Sequence, residues 1–301
     1  MRPPRVSLVL ATVGRTTELA RGLQALAAQS CRDFEVLVID QNDDDRLVPV
    51  VAEAVRAGLV IRHERFARRS LSGARNHGIA LACAGIVGFP DDDCWYESDT
   101  IRALVEQWDR VQPAPALMVG CWVEQAERGG DIGAPAQPLR PQEVLSFRGR
   151  RASSITLFCE TVRLRALGGF DERLGVGQWF GSAEETDLVM RLAGRGEAMF
   201  YAPQIRVHHH LPPVVERPRL DPADLERLRV RERGTGALYA KHRLSGWVIG
   251  RGLVAPWLVP LLRGRAGALR AGLSCVRGRI EGLLRWPDAA AAASELGGGR
   301  R

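Results

Sequence analysis

Residues 6–11 and 34–39 are unbroken apolar runs ending in polar residues, the pattern of strands buried on both faces of a parallel sheet. Between them Leu19, Leu23 and Leu26 recur at helical spacing, which predicts a helix over 17–29. Strand, helix, strand in so short a stretch is the unit of a doubly wound sheet. The alternation continues with a helix over 48–57, a strand over 59–63, a helix over 72–84 and a strand over 85–90. The first ninety residues therefore read as an α/β nucleotide-binding half, with helices expected on both faces of a mostly parallel sheet.

Beyond Asp93 the pattern loosens. A helix is expected over 98–111 and a strand over 116–124, then a Gly/Pro-rich stretch over 129–141 that reads as a mobile surface loop. Strands are expected over 151–159 and 198–208, with a helix over 186–194 opened by acidic residues. Pro212, Pro213 and Pro218 mark a boundary, giving one domain over 1–212 and a basic helical region over 213–301 whose tail is disordered after about residue 288. Within that region 221–242 reads as a charged amphipathic helix, and 244–262 is almost wholly apolar.

The apolar segment approaches the roughly 20 residues that span a bilayer. Arg251 near its centre costs about 3 kcal/mol on insertion, and Pro256 and Pro260 interrupt a regular helix. A segment lying on a membrane fits better, with Trp247 and Trp257 at the headgroups and Arg263, Arg265, Arg270, Arg277 and Arg279 facing anionic lipid. A helical appendage packed on the catalytic domain is the alternative.

Composition narrows the choices. A 46% hydrophobic chain of 301 residues has material for a large core, so global disorder is excluded. The formal charge of +7 arises mainly from basic residues between Arg217 and Arg285, a distribution that suits nucleic acid, anionic lipid or phosphorylated substrates. No basic and aromatic interleaving lies near the nucleotide half, so nucleic acid is not expected as a partner. Six scattered cysteines without a C-x-x-C pair form neither a zinc spacing nor a disulfide framework. With an N-terminal apolar run too short for a secretory signal, the expected location is cytoplasmic, extending to the inner face of the cell membrane.

The strongest chemical signal is IVGFPDDDCW, in which a buried strand delivers Asp91, Asp92 and Asp93 to its carboxyl end, where open α/β sheets place ligands. Adjacent carboxylates repel unless a cation neutralises them, and hard oxygen donors suit Mg²⁺ or Mn²⁺ bridging to phosphates. Alternation points Asp91 and Asp93 to one side, making them the metal-ligand choices. A solvated acidic turn is the alternative.

In order along the chain, VSLVLATVGR, VLVIDQNDDD, GARNHGIA, FPDDDCW, GGFDERLG and EETDLVMRL resemble the family 2 glycosyltransferases of GT-A fold, over roughly residues 5–212. The resemblance implies that Asp91 and Asp93 form the D-x-D metal site and that Asp40 contacts the nucleotide base. It also places Arg75 and Asn76 near the donor and gives the glycines and Phe170 of 168–171 an acceptor-side turn. Asp92, Thr12 and Arg15 are further nucleotide-side candidates. For Asp40 a helix N-cap remains open, and for Arg75 a surface salt bridge. Trp95 is open between stacking on the acceptor and core packing, while Trp179 is expected to stack on a sugar ring.

In that family a Glu-Asp pair opens the later helix and its second member is the base that takes the acceptor proton. Glu185 fills this slot, one methylene longer than the family's aspartate, with Glu184 and Asp187 beside it. Capping of the helix dipole is the duller reading of those two. The resemblance also implies a histidine after the next strand. In VHHH, alternation lets only His208 and His210 share a face, and His208 is the expected ligand. The resulting expectation is a metal-dependent inverting transferase. It would use a nucleotide diphosphate sugar and a glycan or lipid-linked acceptor, in cell-surface polysaccharide or glycolipid synthesis. A non-catalytic membrane-surface protein on the same fold and a nucleotidyltransferase are the rivals, the latter without its glycine-rich, lysine-bearing phosphate loop.

Overall fold

The first apolar run and the threonine that follows it form β1 (Val6–Thr12), whose seven residues are all buried, because the strand is covered on both sides. The computed structural model describes residues 2–125, 134–139, 153–209, 221–264 and 266–297. They fall into two compact units, Met1–Asp171 with Leu188–Pro212, and Glu172–Asp187 with Pro213–Arg301. The second unit thus takes 172–187 as well as the region beyond the proline boundary.

The first unit is built on one sheet. Its further strands are β2 (Phe34–Asp40), β3 (Ile61–Arg65), β4 (Ile86–Gly88), β5 (Cys94–Tyr96), β6 (Leu117–Trp122), β7 (Gln137–Pro138), β8 (Leu157–Glu160) and β9 (Met199–His209). Their order is β3-β2-β1-β4-β8-β6-β9-β5, with β7 paired to β9. Strands β3, β2, β1 and β4 are parallel, β8 runs against β4 and β6, and β9 is parallel to β6. The carboxyl ends of β1, β2, β4 and β9 therefore share one edge.

Side-chain alternation sorts β1 into two cores. Val6, Leu8 and Leu10 pack with Leu19, Leu23 and Leu26 of α1 (Thr17–Ala27) and with Val51 and Ala54 of α2 (Val48–Arg56). Val9 and Ala11 pack with Ala74 and Ile79 of α3 (Leu71–Leu81) and with Leu188, Val189 and Leu192 of α6 (Glu184–Gly194). Among the described residues the remaining helices of this unit are α4 (Thr100–Arg110) and the six-residue α5 (Thr161–Ala166).

Several boundaries depart from the sequence pattern. The strand expected over 85–90 pairs only through Gly88, freeing Phe89 and Pro90 to lead into the acidic loop. The strand expected over 151–159 begins as a single 3-10 turn at Ser154–Thr156 before β8, and residues 151–152 lie outside the described residues. In the expected mobile loop over 129–141, residues 134–139 hold β7 and the rest lies outside the described residues. Three-residue β5 and short α5 carry too few side chains to show a period. All six cysteines are free.

The second unit holds α7 (Pro222–Lys241), α8 (Gly246–Leu262) and α9 (Ala266–Gly297). Asp221 caps α7, its carboxylate accepting from the Asp224 N–H at 2.7 Å. Helix α9 extends to Gly297. Glu281 of α9 accepts from Arg229 and Arg233 of α7. Its burial alone would raise its pKa, but those guanidinium bonds outweigh it and bring the carboxyl down to about 2.

Pro256 and Pro260 do not end α8. A proline at 256 leaves the carbonyl of residue 252 without its helical donor, and Arg279 Nη1 donates to that Gly252 oxygen at 2.6 Å. Pro260 likewise strips the donor from the Pro256 carbonyl, and Gly272 of α9 passes so near this oxygen that a Cβ would overlap it. Gly236 of α7 stands in the same relation to the Arg279 carbonyl. Backbone contacts, not interdigitated side chains, set the spacing here. Gly236→Ala is expected to lower unfolding stability by about 1–3 kcal/mol, read as the denaturation midpoint followed by helical circular dichroism.

Candidate functional site

At the shared carboxyl edge of the sheet the chain leaves β4 and presents Asp91, Asp92 and Asp93. The three carboxylates are separated by a turn that the Cys94 N–H closes on the Asp91 carbonyl at 3.3 Å. Asp92 turns inward and is buried, accepting from Thr12 Oγ1 at 2.7 Å and from Arg15 Nη1 at 2.5 Å. Burial raises its pKa, against the Thr12 and Arg15 bonds. Asp91 and Asp93 turn the other way. Asp91 Oδ1 is 2.8 Å from Arg75 Nη2, and Asp91 Oδ2 accepts from Ser154 Oγ at 3.5 Å.

The antiparallel pairing of β5 with β9 sets Cys94 opposite His209 and Trp95 opposite His208. His209 Nε2 consequently lies 3.1 Å from Asp93 Oδ1. Ligand atoms of Asp91, Asp93 and His209 all lie within 4.8 Å of one another. Two carboxylates and an imidazole are a donor set suited to a divalent cation. The His209 Nδ1 is buried with no hydrogen-bond partner among the described residues, so the ring retains an uncommitted nitrogen. The residues present therefore fit a divalent metal.

Charges at this cluster are coupled. Burial alone would raise the Asp93 carboxyl, but the His209 hydrogen bond, with help from Arg15, outweighs it and holds it below its usual value. The same hydrogen bond raises the His209 imidazole above 6.5. Arg15 reaches both Asp92 at 2.5 Å and Asp93 at 2.8 Å while its side chain is 47% exposed, so it spans from the buried loop to solvent.

His208, the expected ligand, is elsewhere. Its ring stacks on Trp95 with centroids 5.3 Å apart, Nδ1 is 2.7 Å from Glu124 and Nε2 is 2.9 Å from Glu97. The one-residue shift has a plain cause: β9 runs through His209, and its register against β5 brings that residue level with the acidic loop. His210 lies outside the described residues. Trp95 thus stacks on protein, from the strand that sequence periodicity misses. Ser154 was also missed, since a lone serine in a short turn carries no pattern.

Asp40 ends β2 with its carboxylate fully buried. It accepts from the Asn42 N–H and side-chain amide at 2.9 and 2.7 Å and lies 2.9 Å from His63 Nε2 and 3.0 Å from Arg65 Nη1. It is not a helix cap, because α2 begins eight positions later at Val48. Arg75 is likewise no surface residue: it is buried, with its guanidinium 5.4 Å from the Phe170 ring centroid. Asn76 Nδ2 donates to the Phe170 carbonyl at 2.9 Å and its Oδ1 accepts the Phe170 N–H at 2.8 Å. Asn76 therefore clasps the Gly-Gly-Phe turn, a bracing role absent from the expected donor contact.

The second acidic cluster opens α6. Ala183 precedes it in left-handed backbone, φ 79°, a conformation that costs a non-glycine residue about 1–2 kcal/mol. Asp187 is fully buried, with Lys241 Nζ at 2.7 Å and His242 Nε2 at 2.8 Å from one of its oxygens. Glu184 is buried and Glu185 is partly exposed. Of the three, Glu185 alone is not buried. Trp179 is flanked by Arg233 and Arg285, at 4.5 and 4.4 Å from its ring centroid.

The model of the family described as "Glycosyl transferase family 2" matches residues 7–159. The chain is 25% identical over 205 residues to the pre-mycofactocin glycosyltransferase of Mycobacterium tuberculosis (strain CDC 1551 / Oshkosh), covering 63% of this chain and 40% of that protein. It is 26% identical over 118 residues to the uncharacterized glycosyltransferase EpsJ of Bacillus subtilis (strain 168), covering 39% and 33%. The chain thus spans two fifths or less of the length of these relatives. Among solved structures it resembles the mannosyltransferase PcManGT from Pyrobaculum calidifontis in complex with GDP-Man and Mn²⁺, with a TM-score of 0.63, 17% identity and coverage of 95% and 88%. It also resembles S. aureus TarS 1-349 in complex with UDP-GlcNAc, with a TM-score of 0.55, 14% identity and coverage of 95% and 92%. These likenesses and the mostly parallel sheet give a GT-A fold with a C-terminal helical appendage.

Proposed function

Because the chain belongs to glycosyl transferase family 2, we propose that it moves a hexosyl or related sugar from a nucleotide diphosphate donor to an acceptor hydroxyl with inversion, using Mg²⁺ or Mn²⁺. The observation that carries this reading is the convergence of Asp91, Asp93 and His209 at the carboxyl edge of the sheet. A metal held there would supply charge compensation for the departing diphosphate. Arg75 and Ser154 fix Asp91, and the Thr12–Asp92–Arg15 chain fixes the loop and leads a half-exposed guanidinium outward toward the diphosphate.

Asp40, oriented by Asn42 and His63, marks the nucleobase end, with the half-exposed Arg65 beside it. Glu185 takes the acceptor proton as the hydroxyl oxygen attacks the anomeric carbon. The GDP-Man and UDP-GlcNAc complexes of the solved neighbours support a nucleotide sugar as donor. The acceptor is a glycan or lipid-linked glycan of cell-surface polysaccharide or glycolipid synthesis, and the exposed apolar helices of the second unit support its presentation at a membrane.

A thermal-shift screen of nucleotide sugars with Mn²⁺ or EDTA tests this. One GDP- or UDP-linked sugar is expected to raise Tm with Mn²⁺ and to lose most of that effect in EDTA. No shift with any nucleotide sugar, or an equal shift in EDTA, is the result against it.

A further inference from the structure

The outward stripe of a helix on a globular protein is ordinarily polar. In α8 it is apolar. Trp247, Val254 and Leu261 recur every seven residues and so share one face, with Leu262 beside them. Trp247 is 80% and Leu262 76% exposed, and α8 has no buried residue at all. On α9 a second outward stripe alternates arginine with large aliphatics: Arg270, Leu273, Arg277, Ile280 and Leu284, at spacings of three and four. Leu273 and Leu284 are 59% and 69% exposed.

Charge decides what covers these faces. Between Arg243 and Arg285 the sequence carries eight arginines against the single acid Glu281, and Arg243, Arg263 and Arg270 are exposed. A second copy docking through this surface would bring like charges together. An anionic bilayer complements them, accepting apolar side chains at the headgroup boundary and arginines at the phosphates. No described helix is long and apolar enough to cross a membrane. We propose that α8 and α9 form a monotopic docking face for anionic lipid, with Trp247 as the interfacial anchor. The inference rests on the second unit alone and stands whichever sugar is transferred.

Co-sedimentation of the full chain with phosphatidylglycerol-containing and pure phosphatidylcholine vesicles tests it. Binding is expected only to the anionic vesicles, with a blue shift of tryptophan emission that Trp247→Phe diminishes and with release at high salt. Arg263→Glu/Arg270→Glu is expected to weaken binding by at least tenfold, and Trp247→Asp/Leu261→Asp by about as much. All of these side chains face outward, so melting temperature and helical content should match the parent and separate lost binding from lost folding. Equal binding to both vesicle types, undiminished binding by either double variant, or concentration-dependent self-association without lipid binding each overturns the proposal. Failure of the transferase reading would appear in the nucleotide-sugar screen and leave vesicle binding untouched.

Discussion

Asp93→Ala is expected to lower metal-dependent sugar transfer by about 10³-fold, the scale on which a lost electrostatic group at developing charge is felt. Asp93 does three things in the structure. It supplies one of the clustered oxygens, accepts from Arg15 and fixes the His209 ring. Alanine removes all three, and excess Mn²⁺ should recover little of the rate. His209→Ala removes one donor and leaves both carboxylates, so excess metal should recover more.

The pH dependence has a definite sign. His209 must be neutral to bind metal, and its raised pKa means that Mn²⁺ affinity climbs as pH rises above 6.5. Asp93→Asn removes the charge that raises the imidazole, so the climb should begin at lower pH while affinity falls. Isothermal titration of Mn²⁺ across pH 5.5–8 reads both, and an unchanged profile in Asp93→Asn would sink the pairing.

Glu185→Gln is expected to lower kcat by about 10²–10⁴-fold while leaving donor binding within a fewfold, the pattern of a lost general base. The three acids at the start of α6 differ in what surrounds them. Asp187 is fully buried against Lys241 and His242, so Asp187→Asn should appear first as a lower melting temperature. Glu184 is buried and Glu185 is partly exposed. Pre-steady-state transfer with donor saturation, alongside donor titration by thermal shift, separates chemistry from binding. Full activity of Glu185→Gln would move the base elsewhere.

Much of this was legible in the chain because β1 and β2 are buried on both faces and have no freedom to be polar. The acidic triplet was legible for a related reason, since three carboxylates following so apolar a strand have few uses. What the sequence hid depends on pairing. His208 and His209 differ by one position, and the choice between them follows from the register of β9 against β5, whose three residues carry no periodic signal. Ser154 and the clasp of Asn76 on Phe170 were hidden likewise, because each joins segments far apart in sequence. The prolines of α8 suggested a broken helix, since the arginine that takes the orphaned carbonyl lies 27 positions downstream.

That arrangement of proline, arginine and glycine bears on how the lineage can change. Because main-chain atoms of neighbouring helices stand against Gly236, Gly272, Gly278 and Gly282, those four positions tolerate almost no larger side chain. The outward stripes carry no such packing constraint and answer only to what they dock against. Descendants can therefore exchange a sticky exterior for a hydrophilic one, residue by residue, without disturbing the scaffold beneath.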